Sequence, residues 1–473
     1  MRAARLVLAI GLAAAGCTSN DPSGADAAAP PPRPASPAAP IAPVGPSAAA
    51  GPTSAPPPET ETAPPGPPCD RTVTAGEAIQ AAIDAAPSGP YVLCVSGEHR
   101  GGGLPADPGR RYWGNVVISG RDGFTLRGLP GAVLRGIPND EVYPPESAPA
   151  DEQHPNDKAI LVKVVDSADV VIEGLTIDGL ADGRPVLNRL VWLQGAVRAS
   201  VRDNVIRNAG AECVRVKSDS TDNEIAWNEI SRCGYYQFEL QKEERLRKNG
   251  EAVYIGTDPV QITTTQVNKQ RWWGLDAALG TDRSARNRAH HNRLAPGPPG
   301  AKWGNECVDV KEDWPVPRRD LPGDETRGAP GQNVIADNEC SGQYDEESGA
   351  FDARSGANVF EHNRVFGEVR GAALRLGGGE KRLDGFGEVD WSAAGNRVRL
   401  NVLEAWGGSA PIKTFKGQPL AAGDGVCGNV DGRGDPAFGG RFTTTKDTGA
   451  NLARCGDSAA PPGPRGAVGP RRR

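Results

Sequence analysis

The sequence predicts an all-β fold, a single right-handed parallel β-helix built as a solenoid with a capping helix at its N-terminal end. Three observations carry that prediction. One strand phrase returns: Glu212-Cys213-Val214-Arg215-Val216-Lys217 is followed by Asn305-Glu306-Cys307-Val308-Asp309-Val310-Lys311, with looser copies at Glu251-Ala252-Val253-Tyr254-Ile255-Gly256 and Ala350-Phe351-Asp352-Ala353-Arg354. An Asn ahead of a short apolar-containing strand recurs at Asn204, Asn228, Asn292, Asn338, Asn363 and Asn401, and the intervals 204 to 228 and 338 to 363 are 24 and 25 residues, about one three-strand coil. Short alternating strands lie ahead of these, among them Val116-Val117-Ile118, Phe124-Thr125-Leu126, Val170-Val171-Ile172 and Leu175-Thr176-Ile177. An all-β sandwich shares the short strands and frequent turns, but not phrases that return near one-coil spacing.

At 473 residues the chain suits two or three ordinary domains or one long solenoid, and the repeats select the solenoid. Arg2 and Arg5 precede an apolar run, Leu6 to Ala15, too short to span a bilayer core of ~30 Å, so residues 1–16 read as a signal peptide. Ala14-Ala15-Gly16-Cys17 resembles the bacterial lipobox, which implies cleavage before a lipidated Cys17 and a protein exported and lipid-anchored at the outer membrane or cell surface; an ordinary cleaved signal peptide is the alternative. Residues 17–68 are Pro/Ala-rich with almost no large apolar side chains, so they read as a disordered tether. The solenoid is expected over 69–458 and a disordered tail over 459–473. A net charge of -6, without a basic stripe interleaved with aromatics, argues against nucleic acid. The chain is expected to act as a monomer.

The first folded element is a helix over Ala78–Ile83, announced by the capping box Thr74-x-x-Glu77. A turn at Pro87–Pro90 and a strand at Tyr91–Cys94 follow. This order resembles the N-terminal cap of pectin-lyase-like β-helices, which covers an otherwise exposed core end and strand edge. Nine cysteines less Cys17 leave eight, an even number that suits disulfides. Proximity favours Cys69 with Cys94 and Cys427 with Cys455, while Cys213, Cys233, Cys307 and Cys340 read equally well as disulfides or buried thiols.

The repeated strands carry the chemistry. Stacked, they place Glu212, Glu251 and Glu306 in one column and Lys217, Lys311 and Arg354 in another, with Val308 and Val310 inward and Glu306, Asp309 and Lys311 at the surface or edge. Coils ~4.8 Å apart make Lys311 and Arg354 neighbours, with Asp352 and Asp309 close by. Cations and carboxylates together suit an acidic polymer and β-elimination on a uronate, in which a base removes the proton α to the carboxylate. Two insertions, Asp258 to Arg286 and Asp313 to Gln332, leave the stack beside these strands; Trp272 and Trp273, with Trp303 and Trp314, are candidate sugar platforms. His290, His291 and His362 precede corner Asn residues and read as solvated turn residues.

Residues 250 to 378 resemble the β-helical polysaccharide lyases of the chondroitinase B and alginate lyase group. Gly250-Glu251-Ala252-Val253-Tyr254-Ile255-Gly256 is similar to their Gly-Glu-Ala-Ile-Arg-Ile-Gly strand. Glu306 followed by Lys311 is similar to their acid-then-lysine strand, Phe351-Asp352-Ala353-Arg354 to their catalytic arginine strand, and Ala373-Leu374-Arg375-Leu376 falls on a further arginine strand. The resemblance implies Lys311 as base, Arg354 as catalytic cation and Glu306 as a calcium ligand; the column arrangement adds Glu251 and Asp309 as candidate partners of that calcium and Arg375 and Asp352 as candidate substrate-binding residues. The chain departs from the group at Gly304, where a second acid stands, at Ser355, where a histidine stands, and after Lys311. Two alternatives stay open: a non-catalytic glycan-binding or structural coil with neutralising charge ladders, and a glycoside hydrolase using Asp309 and Asp352.

Overall fold

A computed structural model describes residues 67–102, 116–136, 160–181, 184–185, 189–234, 250–257, 282, 284–301, 304–311, 332–377, 379–383, 387–391, 395–407, 410–415 and 424–434. All fall in one compact unit, Thr62–Arg473. Cys17, the expected tether and tail, Cys455, and Trp272, Trp273, Trp303 and Trp314 lie outside the described residues. No helix among the described residues is long and apolar enough to cross a membrane.

The described strands form three long parallel sheets of eleven, nine and ten strands, and the chain visits them in a fixed cycle. One coil runs Arg189–Gln194 in the nine-stranded sheet, Ser200–Arg202 in the eleven-stranded sheet and Val205–Arg207 in the ten-stranded sheet. The next begins at Val214–Lys217. This is the right-handed parallel β-helix expected, the usual hand for parallel crossovers. In the nine-stranded sheet the register stacks Val191, Val214, Val253, Val308, Phe351, Leu374 and Ile412 in one inward row. Each fully buried aliphatic of this kind contributes about 1.5–3 kcal/mol, so the rows hold the coils together lengthwise.

The N-terminal end is closed as a solenoid requires. The helix Ile79–Ala85 buries Ile79, Ala82 and Ile83 against the first coils. Gln80 pairs its side-chain amide with both backbone groups of Val117 (Val117 N to Oε1 2.7 Å, Nε2 to Val117 O 3.0 Å), standing in for a further strand on the sheet edge. The capping box is corrected: Thr74 N and Oγ1 do donate to Glu77 at 2.6 and 2.8 Å, but they close a turn ahead of the helix, whose N-cap Ala78 receives no side-chain bond.

Two amide ladders run up the corners. In the first, Asn204, Asn228, Asn292, Asn338, Asn363, Asn401 and Asn429 stack, and from Asn228 onward each Oδ1 accepts from the backbone N–H and the side-chain amide of the Asn one coil before it at 2.7–3.1 Å. The left-handed backbone belongs to the residue before each Asn (Asp203, Trp227, His291, Asp337, His362, Leu400; φ 54–57°), not to the Asn itself. A second ladder, Asn223, Asn287, Asn333, Asn358 and Asn396, ends on Asp424.

Cys69 is disulfide-bonded to Cys94, Cys213 to Cys233 and Cys307 to Cys340, so these last four are not buried thiols. Cys427 is also disulfide-bonded. His290 departs from expectation. It is buried in the strand Arg288–His290, with Nε2 2.9 Å from Glu224 and Nδ1 2.9 Å from His291 Nδ1, and Trp227 packs on both rings.

Candidate functional site

The site lies on the outward side of the nine-stranded sheet, on the strands Val214–Lys217, Val253–Gly256, Val308–Lys311, Gly349–Ala353 and Ala372–Leu376. Period-2 alternation turns the valines inward and every intervening residue outward. Register then stacks Arg215, Tyr254, Asp309, Asp352, Arg375 and Lys413 in one outward row. Three residues before that row, Cys213 N bonds to Glu251 O and Ala252 N to Glu306 O, which places Glu212, Glu251 and Glu306 in the expected acid column. Lys217 and Lys311 flank Gly256 in the second column, and Arg354 follows the next strand.

One expectation is overturned. Glu306, Asp309 and Lys311 are not surface groups: Glu306 and Asp309 have essentially no exposure, and Lys311 is 7% exposed. Of the groups paired to Glu306, Asp309 and Asp352, Arg354 and Lys311 are the least buried, over a floor of buried carboxylates.

The carboxylates fall into two kinds. Glu212 is clamped by Arg189 (Nε–Oε2 2.6 Å) and Arg215 (Nη1–Oε1 2.8 Å). Burial alone would raise its pKa, but the two guanidiniums win and hold it at about 2. Asp352 likewise accepts from Arg375 (Nε–Oδ1 2.6 Å, and Nη2 to Oδ2) and Arg354 (2.9 Å); against its burial, these hold it well below the usual carboxylate range. The other kind lies between them. Glu251, Glu306 and Asp309 bring carboxylate oxygens within 4.8 Å of one another, all buried. Among the described residues, neither oxygen of Glu251 has a hydrogen-bond partner, nor does Oε2 of Glu306. Glu306 Oε1 accepts from Arg354 at 3.0 Å. Asp309 lies at ion-pair distance from Lys311 Nζ (2.9 Å) and Arg354 Nε (3.7 Å), but without the alignment of a hydrogen bond.

Two unit charges at that spacing repel by roughly 3 kcal/mol at an effective dielectric of ~20. Three ionised carboxylates with one arginine and one lysine beside them are therefore not self-sufficient. Burial first, then Asp309, pushes Glu306 up to about 8, against the pull of Arg354. Burial, then Glu306 and Glu212, pushes Glu251 well above the usual range. The arrangement asks for protons or a cation. Hard oxygen donors, unpaired lone pairs and three negative charges suit a calcium-class ion, and the carboxylates of Glu251, Glu306 and Asp309 would hold it.

Sequence reasoning missed Tyr254. Its ring lies between Arg215, whose guanidinium carbon is 3.4 Å from the ring centroid, and Lys311 Nζ at 4.5 Å, so it links the clamped flank to the lysine. Its outward place between Val253 and Ile255 was the available signal. Arg189, the second clamp on Glu212, was missed too, since its coil does not carry the repeated phrase. The pair Asp309 and Asp352 does come together in register, but the two arginines on Asp352 keep it ionised and unsuited to donate a proton.

No protein-family model matches the chain, and no curated protein does. Solved structures similar to it include an alginate lyase from Paenibacillus sp. str. FPU-7 (16% identity, 76% of this chain and 95% of that one, TM-score 0.46). A PL6 family alginate lyase is 13% identical over 76% of this chain and 38% of that one, at a TM-score of 0.39. A pectin methylesterase from Erwinia chrysanthemi is 10% identical over 83% of this chain and 97% of that one, at a TM-score of 0.38.

Proposed function

We propose that this protein binds an acidic, uronate-containing polysaccharide along the outer face of the nine-stranded sheet and cleaves it by β-elimination. One observation carries the reading: Lys311 and Arg354, the least buried of the groups paired to these acids, stand over carboxylates that the described residues leave unneutralised. A ladder built only to cancel charge would treat Glu251 as it treats Glu212.

Lys311 Nζ takes the proton α to the uronate carboxylate. The electrons of that C–H bond form the C=C bond, and the glycosidic C–O bond breaks with its electrons on oxygen, which takes a proton from water. Arg354, held by Glu306 and Asp352, presents a fixed positive charge to the substrate carboxylate and the enolate forming on it. A divalent cation on Glu251, Glu306 and Asp309 would add charge stabilisation at the same carboxylate. Arg375, Asp352 and the tryptophans Trp272 and Trp273 are proposed for substrate binding. Export and lipid anchoring through Cys17, and action as a monomer, belong to the same proposal.

The test is ultraviolet absorbance of the unsaturated uronate product. The protein is incubated with alginate, pectate, chondroitin and dermatan sulfates and heparan sulfate, with calcium or with chelator. Product that disappears in folded Lys311→Ala supports the proposal. No product from any of these polymers, together with binding on a glycan array, favours the non-catalytic reading that the neutralised Glu212 and Asp352 suggest.

A further inference from the structure

The coils that carry the site are not joined alike. Cys213, next to Glu212, is bonded to Cys233, which ties the corner entering Val214–Lys217 to the corner entering Val253–Gly256. Cys307, next to Glu306, is bonded to Cys340 and ties the corner entering Val308–Lys311 to the one entering Gly349–Ala353. Between these two stapled pairs runs a seam where Ala252 stands in place of cysteine. There the corners are joined by backbone bonds such as Ala252 N to Glu306 O (3.0 Å) and Val253 N to Cys307 O (3.1 Å), of the kind also found at the two flanking seams. Across it, Glu251 on one side faces Glu306 and Asp309 on the other. Like charges opposed on adjacent strands destabilise their pairing, and no described residue donates to Glu251 to offset it.

We propose that a divalent cation held by Glu251, Glu306 and Asp309 is the missing staple: it closes this seam, and its binding sets the local stability of the solenoid at the site. The inference rests on reading the triad as a cation site, not on cleavage. The flanking disulfides confine any opening to the seam, because each pins two coils into one unit. Without the ion those units meet through carboxylates that either repel one another or must take up protons. With it, three ligands from both sides of the seam converge on one charge.

Hydrogen exchange of the full chain, read by mass spectrometry in calcium and in chelator, tests this. With calcium at ten times its dissociation constant, amides of Ala252–Gly256 and Cys307–Lys311 should exchange about tenfold more slowly, while Ile160–Val165 and Arg189–Gln194 stay unchanged. Glu251→Gln should lose the calcium effect. Uniform slowing, no slowing, or undiminished slowing in Glu251→Gln overturns the proposal, and the wild-type comparison decides it alone if the variant misfolds. Local slowing in a protein that forms no unsaturated product leaves this inference standing and removes the cleavage reading. Calcium-dependent product without local slowing does the reverse.

Discussion

Glu212 and Glu251 occupy the same position on successive coils, and they are opposites. Glu212 meets Arg189 and Arg215 and is held ionised; Glu251 meets no donor among the described residues, faces two other acids and is driven towards its neutral form. The difference arises three residues on, in the outward row. Beside Glu212 that row offers Arg215, beside Glu251 it offers Tyr254, and the coil after that offers Asp309. A column in a solenoid is thus only an address. Whether it holds a neutralised ion pair or an unneutralised acid depends on which side chains register places around it.

The largest expected effects separate the two by chemistry. Lys311→Ala should lower the rate of unsaturated product formation by about 10²- to 10⁴-fold, the range for removing a general base, while Lys217→Ala, in the same column beside the clamped region, should lower it far less. Initial rates on the best polymer measure both, with circular dichroism confirming the fold. Comparable losses would mean that the column, not the Lys311 neighbourhood, carries activity.

Stability should divide the other way. Arg215→Met leaves the buried Glu212 half-paired and should cost about 3 kcal/mol or more in urea unfolding, as broken buried pairs do. Glu251→Gln removes an unpaired buried acid, so in chelator it should leave stability unchanged or raise it. A large loss from Glu251→Gln in chelator would show that Glu251 is already satisfied.

The pH dependence carries the same contrast. Glu306 has an ordinary value of 4.5 and a folded value of about 8. Between those values it is protonated in the folded protein and ionised in the unfolded chain, so folding is favoured less as pH rises through that window, by up to roughly 1 kcal/mol per pH unit. Glu212, with its folded value lowered to about 2, has the opposite sign: its contribution is present above 4.5 and is lost as pH falls towards 2. Melting temperature in chelator should therefore peak on the mildly acidic side and decline towards pH 8, with calcium restoring the alkaline limb. A flat alkaline limb in chelator would count against the unneutralised centre.

Much of the fold was legible because a solenoid repeats its instructions. The Asn-before-strand phrase located the ten-stranded sheet and its ladder, and the phrase around Val308 and Val310 located the site strands and their register. The second ladder was equally available, since Asn223, Asn287, Asn333, Asn358 and Asn396 each stand five residues before a member of the first. The burial of Glu306 and Asp309 was not available, because alternation separates inward from outward but says nothing about what covers the outward side. Nor was the clamp on Glu212, since Arg189 comes from a coil that lacks the repeated phrase. His290 misled for a related reason: a residue beside a corner Asn looks solvated until Glu224, one coil earlier, is seen to reach it.

The smallest expected effect tests whether burial, rather than pairing as such, separates these regions. Arg286 makes a two-pronged ion pair with Asp222 at 2.7 Å for each prong, as regular in distance as the clamp on Glu212, but with both side chains exposed. Solvent and salt screen such a pair, so Arg286→Ala should cost less than about 1 kcal/mol and lose even that at high ionic strength. The Arg215→Met cost should persist in salt, because Glu212 is buried beyond its reach. If both substitutions proved equally costly and equally sensitive to salt, the Glu212 clamp would be behaving as a surface ladder, and its contrast with Glu251 would reduce to the count of arginines nearby.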